Sequence, residues 1–290
     1  MINPQIRDEI RLWQAVHRGD IDEARRVLDT TGVDPNTPGL RMGYGVHLLA
    51  WTHPETNTLL VAVACGYIDI AKLLVDRGAT PADSRDVAQL YGCCAARDDA
   101  PMLRFLLEAG VLESSNQGVL SWRQKIKSWR YIIHRGSTQL LRVGLEHAVA
   151  TGTISRFLND ATRPTPLPAT GVVITPANAP YGRPLLHYAV SAECTNAIAK
   201  VQVLLEYGAQ VFARDRFGRT AEDVARLSRN EDDPVITMLK AEAVTRNACV
   251  MVALGHHPRV GAGSVIASMD PELLRMMLEL VSRHHEPVFP

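Results

Sequence analysis

The chain has 290 residues, 46% of them hydrophobic, and its 31 basic and 31 acidic residues leave no formal net charge. This composition supports a sizeable core, and the balanced charge excludes a protein steered to nucleic acid or membranes by a global field. The five cysteines are odd in number and form no CxxC pair. We therefore expect reduced thiols and a cytoplasmic protein, with the nucleus as the alternative compartment.

The start of the chain and its apolar windows argue against secretion and membrane insertion. The segment "MINPQIRDEIRLW" carries charges where a signal peptide needs an apolar run. The longest apolar window, residues 59–68, is far too short to cross a bilayer. We expect a protein that is neither secreted nor transmembrane.

Helical stripes enclosed by glycines recur along the chain. In "CGYIDIAKLLVDRGATP" an apolar stripe runs between Gly66 and Gly78, and "LWQAVHRGDIDEARRVLDTTGVDPN" repeats the arrangement. A glycine ends a helix by adopting a left-handed conformation that other residues reach only at a cost. One such helix pair cannot bury its apolar face alone, so we expect the pairs to stack. Two further units close at Gly110 and Gly208.

These units resemble ankyrin repeats. "TLLVAVACGYIDIAKLLVDRGATP" matches nearly a full repeat, and "DRFGRTAEDVA" is a common variant of the repeat opening. "GRPLLHYA" keeps the histidine of that opening at His187 but has Pro184 where the family has threonine. The matches cover residues 12–36, 57–112 and 182–240, and the resemblance implies an all-α solenoid of helix-turn-helix repeats.

The domain organisation follows from where the matches stop. We expect a solenoid over 1–240, with insertions at 37–57 and 163–182, the second rich in proline. A helical cap or recruitment segment is expected at 241–290. The stretch 113–160 fits a degenerate repeat or two, and its "LEHAVATGTISRFL" is similar to a repeat opening.

The resemblance implies a non-catalytic protein-interaction scaffold that contacts its partner through inner helices and hairpin tips. No GxSxG, HExxH or lysine-containing phosphate loop occurs, so we expect no enzyme, no cofactor and no metal site. The candidate partner-binding residues are His17, Arg18 and Tyr67 on inner helices, Asp34, Asn36, Asp83, Arg216 and Phe217 on hairpin tips, and Tyr44 and Trp51 in the first insertion.

A basic helix is predicted at 121–142, within a run that has no acidic residue. One interpretation is a patch for an acidic partner, RNA or a membrane surface. The interpretation we favour buries its tryptophans in the core and leaves its cations on the solvated back of the stack. Nucleic acid and membranes are accordingly not the partners we expect. The basic residues are Arg123, Lys125, Lys127, Arg130 and Arg135.

The C-terminal segment 247–281 ends in a helical pattern with little polar face. Such a helix must bury both flanks, either against the last repeat or against a partner. Its "MDPELLRMML" is loosely similar to the helical end of F-box and SOCS-box modules, which implies an alternative role as a ubiquitin-ligase adaptor. The interpretation we favour is a cap on the solenoid.

Overall fold

A computed structural model defines the fold. The structure describes residues 4–36, 57–115, 118–119, 122–159, 183–215 and 217–255. The chain divides into two compact units, Met1–Thr151 and Gly152–Pro290. Their described parts are α-helical apart from one short hairpin, so the prediction of an all-α repeat fold is confirmed.

Unit 1 contains eight described helices and the hairpin. The helices are α1 (Pro4–Arg18), α2 (Ile21–Thr31), α3 (Thr58–Cys65), α4 (Ile68–Asp76), α5 (Ser84–Arg97), α6 (Ala100–Glu108), α7 (Trp122–Arg135) and α8 (Thr138–Ala150). The hairpin pairs β1 (Ser114–Ser115) antiparallel with β2 (Gly118–Val119), with Ser114 opposite Val119.

Short polar side chains begin these helices. The Asp20 carboxylate accepts a hydrogen bond from the backbone N–H of Glu23, at 2.9 Å, and so caps α2. Asn57 caps α3 in the same way through the N–H of Leu60, at 2.8 Å. Each cap satisfies a donor that the first helical turn leaves free.

The helices of unit 1 stack in two rows. In the inner row α1 packs on α3, α3 on α5 and α5 on α7, while in the outer row α2 packs on α4, α4 on α6 and α6 on α8. Inner helices also pack on their own outer partners. Unit 1 is therefore a stack of four helix pairs, as the glycine-bounded units predict.

The fourth pair differs from the prediction in one respect. The segment "LEHAVATGTISRFL" suggests the opening helix of a further repeat, but most of its helical part belongs to α8, which packs on α6. Helix α8 is thus the outer helix of the fourth pair. The resemblance misled because outer helices are also followed by left-handed glycines, Gly32 after α2 and Gly152 after α8, so a closing glycine does not identify the row.

The core of unit 1 is apolar and holds two of the cysteines. Trp129 is only 1% exposed and Tyr91 only 2%, and their rings meet at 6.4 Å. Cys93 and Cys94 are buried beside them on α5. Burial raises the pKa of the Cys93 thiol to about 11, so it stays protonated at neutral pH. These two cysteines therefore serve as small core residues.

Unit 2 contains the same kind of helix pair. Its helices are α9 (Ile154–Asn159), α10 (Leu185–Ala189), α11 (Ala197–Glu206), α12 (Ala221–Ser228) and α13 (Pro234–Gly255). Helix α10 packs on α11 and α12 on α13, while α10 contacts α12 and α11 contacts α13. Two pairs are therefore stacked here as well. Thr220 and Asp223 form a reciprocal capping box at the start of α12.

The predicted boundary at residue 240 remains a prediction, and α13 runs across it without a break. Residues 256–290, with the expected cap helix, lie outside the described residues, as do nearly all of the insertions 37–57 and 163–182. None of the described helices is long and apolar enough to cross a membrane.

Candidate partner-binding surfaces

The C-terminal ends of the inner helices in unit 1 are joined by direct contacts. Gly19 and Gly66 end α1 and α3 in the left-handed region, with φ of 77° and 80°. The Tyr67 ring covers Gly19, where a Cβ atom would lie 2.8 Å from the ring. The Arg97 guanidinium covers Gly66 in the same way. A side chain from one pair thus covers the turn of the pair before it, which explains why both turns need glycine.

We call the set His17, Arg18, Tyr67 and Arg97 the inner-helix row. His17 and Arg18 are exposed on the last turn of α1, and the His17 ring stacks on Trp13 with centroids 5.2 Å apart. Tyr67 and Arg97 extend the row to the second and third pairs. Arg97 also donates to the Ala64 carbonyl, at 3.4 Å.

Tyr67 does not lie on an inner helix as predicted. It precedes α4 at the N-cap position, one residue beyond Gly66, and its ring points back to the first pair. The prediction missed this because a glycine-bounded helix pattern does not show on which side of the glycine a residue will project. Arg97 was not predicted at all. The signal for it was the absence of a side chain at Gly66, which leaves space for a long neighbour.

The predicted hairpin-tip residues of unit 1 are engaged within the fold. Asn36 donates to the Gly78 carbonyl at 3.0 Å and accepts from the Thr80 N–H at 2.8 Å, so it ties the first tip to the second. Asp34 is exposed and accepts from the Asn36 N–H. Asp83 caps α5 and pairs with Arg85. Asn36 therefore stabilises the hairpin tips, and Asp83 stabilises the start of α5.

Unit 2 presents a hairpin between α11 and α12, residues 209–220, which we call the finger. Its turn is closed by the Asp215 N–H donating to the Arg219 carbonyl at 2.8 Å and by the Gly218 N–H donating to the Asp215 carbonyl at 2.9 Å. Gly218 has φ of 75°, which this turn requires. The ring of His187 contacts the Arg219 carbonyl through Nε2 at 2.9 Å and anchors the finger to α10.

The buried Asp215 carboxylate stabilises the finger by accepting several hydrogen bonds. Oδ1 accepts from the N–H groups of Phe217 and Arg219, at 2.8 and 3.0 Å, and Oδ2 accepts from the Arg219 guanidinium. The Arg183 guanidinium lies 3.7 Å from Oδ2. Burial works to raise the pKa of Asp215, but the hydrogen bonds from Arg219 and the backbone outweigh it and hold that pKa below its ordinary value.

Two aromatic side chains project from this rigid loop. Phe217 was predicted as a contact residue and is 42% exposed; Phe212 was not predicted and is 48% exposed. The Arg219 guanidinium lies over the Phe217 ring, 4.6 Å from its centroid. The missed signal for Phe212 is the interleaving of two phenylalanines with arginines in "VFARDRFGR". Arg216 lies outside the described residues.

The predicted basic helix at 121–142 exists in part as α7, which ends at Arg135, while residues 138–142 belong to α8. Trp129 is buried, as the interpretation we favour requires, while Arg130 and Arg135 are exposed. Lys125 forms an ion pair with Glu113. The side chains of Arg123 and Lys127 lie outside the described residues, as do Tyr44 and Trp51. Anionic-ligand binding through 121–142 stays a prediction.

Among the described residues, no group of histidine, cysteine, aspartate and glutamate side chains is placed to hold a metal ion. No protein-family model and no curated protein matches the chain. Similar solved structures exist, at low identity. One is EF0377, an ankyrin repeat protein, at 19% identity and a TM-score of 0.49, covering 80% of this chain and 96% of the other.

A second similar chain comes from the complex of the predatory endopeptidase Bd0816 of Bdellovibrio bacteriovorus with the immunity protein Bd3460. It is 14% identical, with a TM-score of 0.48, and the match covers 80% of this chain and 97% of that one. In this chain the ankyrin-like repeat fold is evident from its own features, namely the stacked helix pairs and the left-handed glycines that end helices in both units.

Proposed function

We propose that this protein is a non-catalytic scaffold that binds a protein partner through the inner-helix row of unit 1. The observation that carries the proposal is the continuity of the row. The Tyr67 and Arg97 side chains of the second and third pairs lie over the Gly19 and Gly66 turns of the pairs before them, so the row forms one extended surface instead of scattered exposed residues. Stacked repeats present such surfaces because each pair adds a few positions to the same side.

The chemistry of the row suits protein recognition. The Trp13–His17 stack and the Tyr67 ring offer large contact areas at a low cost in side-chain entropy, while Arg18 and Arg97 offer charge and hydrogen bonds. Tyrosine, tryptophan and arginine dominate the binding energy of protein interfaces. Because Tyr67 and Arg97 are already held against the glycine turns, little ordering is needed on binding.

Affinity capture with matched variants tests the proposal. The tagged full chain is used as bait in lysate from cells that express it, and bound proteins are quantified by mass spectrometry. One variant combines His17→Ala with Arg18→Glu, in the row. The control is Arg25→Glu, which reverses an exposed charge on the outer helix α2. Thermal unfolding of each variant verifies that the fold is retained.

We expect the row variant to lose its specific partners and the Arg25→Glu control to keep them. Partners that survive the row variant, or that both variants lose equally, would refute binding through the row. The ubiquitin-ligase role of 247–281 remains an alternative function. It predicts that ligase subunits are lost when the chain is truncated after Lys240, while other partners are kept.

A further inference from the structure

The finger of unit 2 differs in charge from the second hairpin tip of unit 1. Residues 209–220 contain three arginines and one aspartate, whereas residues 79–83 contain one aspartate and no basic residue. One of these arginines, Arg219, is held in place by the Asp215 carboxylate, which the Arg183 guanidinium also faces from outside the finger. One carboxylate set against these two guanidiniums leaves an excess of positive charge beside the turn.

Other acidic groups near the finger are already engaged. At the start of α12, the Asp223 carboxylate accepts hydrogen bonds from the backbone N–H and the hydroxyl of Thr220. Glu222 pairs with Arg226 at 2.7 Å. Arg214 is exposed, its Nη1 donates to the Gly218 carbonyl, and its charge also attracts the Asp223 carboxylate. Its remaining N–H groups are available to an incoming carboxylate.

The aromatic residues of the finger add apolar anchoring points. Phe212 and Phe217 are exposed on the same hairpin, and Phe217 is fixed in orientation by the guanidinium above it. Exposed aromatic side chains on a rigid loop are favourable anchors, because burying them costs little conformational entropy. Guanidinium groups beside them bind carboxylates with two parallel hydrogen bonds.

We propose that the finger binds an acidic protein segment that carries apolar anchor residues. The carboxylates of that segment contact Arg214 and Arg219, and its apolar side chains pack on Phe212 and Phe217. This inference rests on the proposed scaffold function and names the chemistry of a partner. It concerns unit 2 alone, so it can fail while the row of unit 1 still binds.

A protein segment fits this surface better than a single-stranded nucleic acid. Nucleic acids are held by a groove of cations that follows the phosphate backbone over several nucleotides, with a series of stacking rings. Among its described residues the finger offers two exposed rings, Phe212 and Phe217, which are too few for such a series. A short acidic peptide needs only this small cluster.

Fluorescence anisotropy with defined probes tests the proposal on the full chain. The first probe is a labelled twelve-residue peptide that alternates glutamate with leucine and phenylalanine. The second has lysine in place of every glutamate, the third has serine in place of every apolar residue, and the fourth is a twelve-nucleotide uridine oligomer. Each is titrated at low and at moderate salt.

We expect only the acidic apolar peptide to bind well, with affinity that falls about tenfold or more as salt rises, because exposed charge pairs are screened. Arg214→Glu and Phe212→Ser should each weaken binding by about tenfold, the scale of a good interface anchor. Lys240→Glu and Leu227→Ser are the matched controls, since both residues are exposed on the helices that follow the finger, and they should bind as the natural chain does.

Several results would overturn the proposal. One is that the lysine peptide binds as tightly as the acidic apolar peptide, or that the uridine oligomer binds more tightly. Another is that no peptide binding is measurable. A third is that the two control variants lose as much affinity as the finger variants. Thermal unfolding of each variant separates loss of binding from loss of fold, because all four replaced residues are exposed.

Discussion

Two glycines in helix interiors should respond to alanine in opposite directions. Alanine is about 1 kcal/mol more favourable than glycine inside a helix, so either replacement alone favours the helix. At Gly92 of α5 a new Cβ would lie 3.8 Å from the Tyr131 ring, which is ordinary contact. At Gly144 of α8 it would lie 2.5 Å from Trp129, which is closer than favourable carbon–carbon contact by about 1 Å or more.

The Trp129 ring cannot easily move away from Gly144. It is 1% exposed and has the buried Tyr91 ring beside it. Overpacking in a dense core costs about 1–3 kcal/mol, and we take the upper part of that range here. After the gain in helix propensity, Gly144→Ala should destabilise by about 1–2 kcal/mol, while Gly92→Ala should stabilise by about 0.5–1 kcal/mol.

Urea unfolding followed by far-ultraviolet circular dichroism measures both changes. A third variant, Trp129→Phe, supplies the test of mechanism: in that background Gly144→Ala should lose most of its cost, because the smaller ring leaves the space free. A Gly144→Ala variant that is stabilised as much as Gly92→Ala would contradict a clash with Trp129. An unchanged destabilisation in the Trp129→Phe background would contradict it equally, since the destabilisation would then not come from the tryptophan.

Two further predictions concern the hairpins. Asn36→Ala should lower the free energy of unfolding by about 1–3 kcal/mol, because it removes two hydrogen bonds between tips and leaves the Thr80 N–H without its acceptor. Asp34→Ala, at an exposed neighbour, should lower it clearly less. Equal losses of stability in urea unfolding would be evidence that these hydrogen bonds do not stabilise the fold. Burial lowers the pKa of His187 in the folded protein, so the unfolded chain binds the proton more readily. The stability that neutral His187 contributes should therefore be present above pH 6.5, the ordinary histidine pKa, and be lost as the pH falls. His187→Gln should accordingly flatten the decline in the free energy of unfolding between pH 7 and 5.5.

The repeat fold was predictable because its signals are local. The left-handed turns at Gly19, Gly66 and Gly78 and the capping box at Thr220 are each encoded within a few residues, and all are present. The row in which α8 packs was not predictable in the same way. That depends on long-range packing of α8 on α6, and a degenerate helix pattern fits either row.

The candidate surfaces were predictable only in part. Exposure of His17, Arg18 and Phe217 follows from their places at helix ends and tips. The contacts of Tyr67 and Arg97 do not, because they reach across to glycines of a preceding repeat. Nor could the sequence show that Asn36 is engaged by residues more than forty positions away. Contacts between repeats decide which tip residues are free for a partner.

Amide hydrogen exchange can locate the surface through which a protein partner binds, and so tests binding at the inner-helix row. Exchange of the full chain is compared with and without a partner isolated by the capture experiment. We expect slower exchange around residues 17–19, 64–67 and 97–98, with the middle of the outer helices α2 and α4 unchanged. Protection confined to α2 and α4, with none at the inner-helix ends, would contradict it.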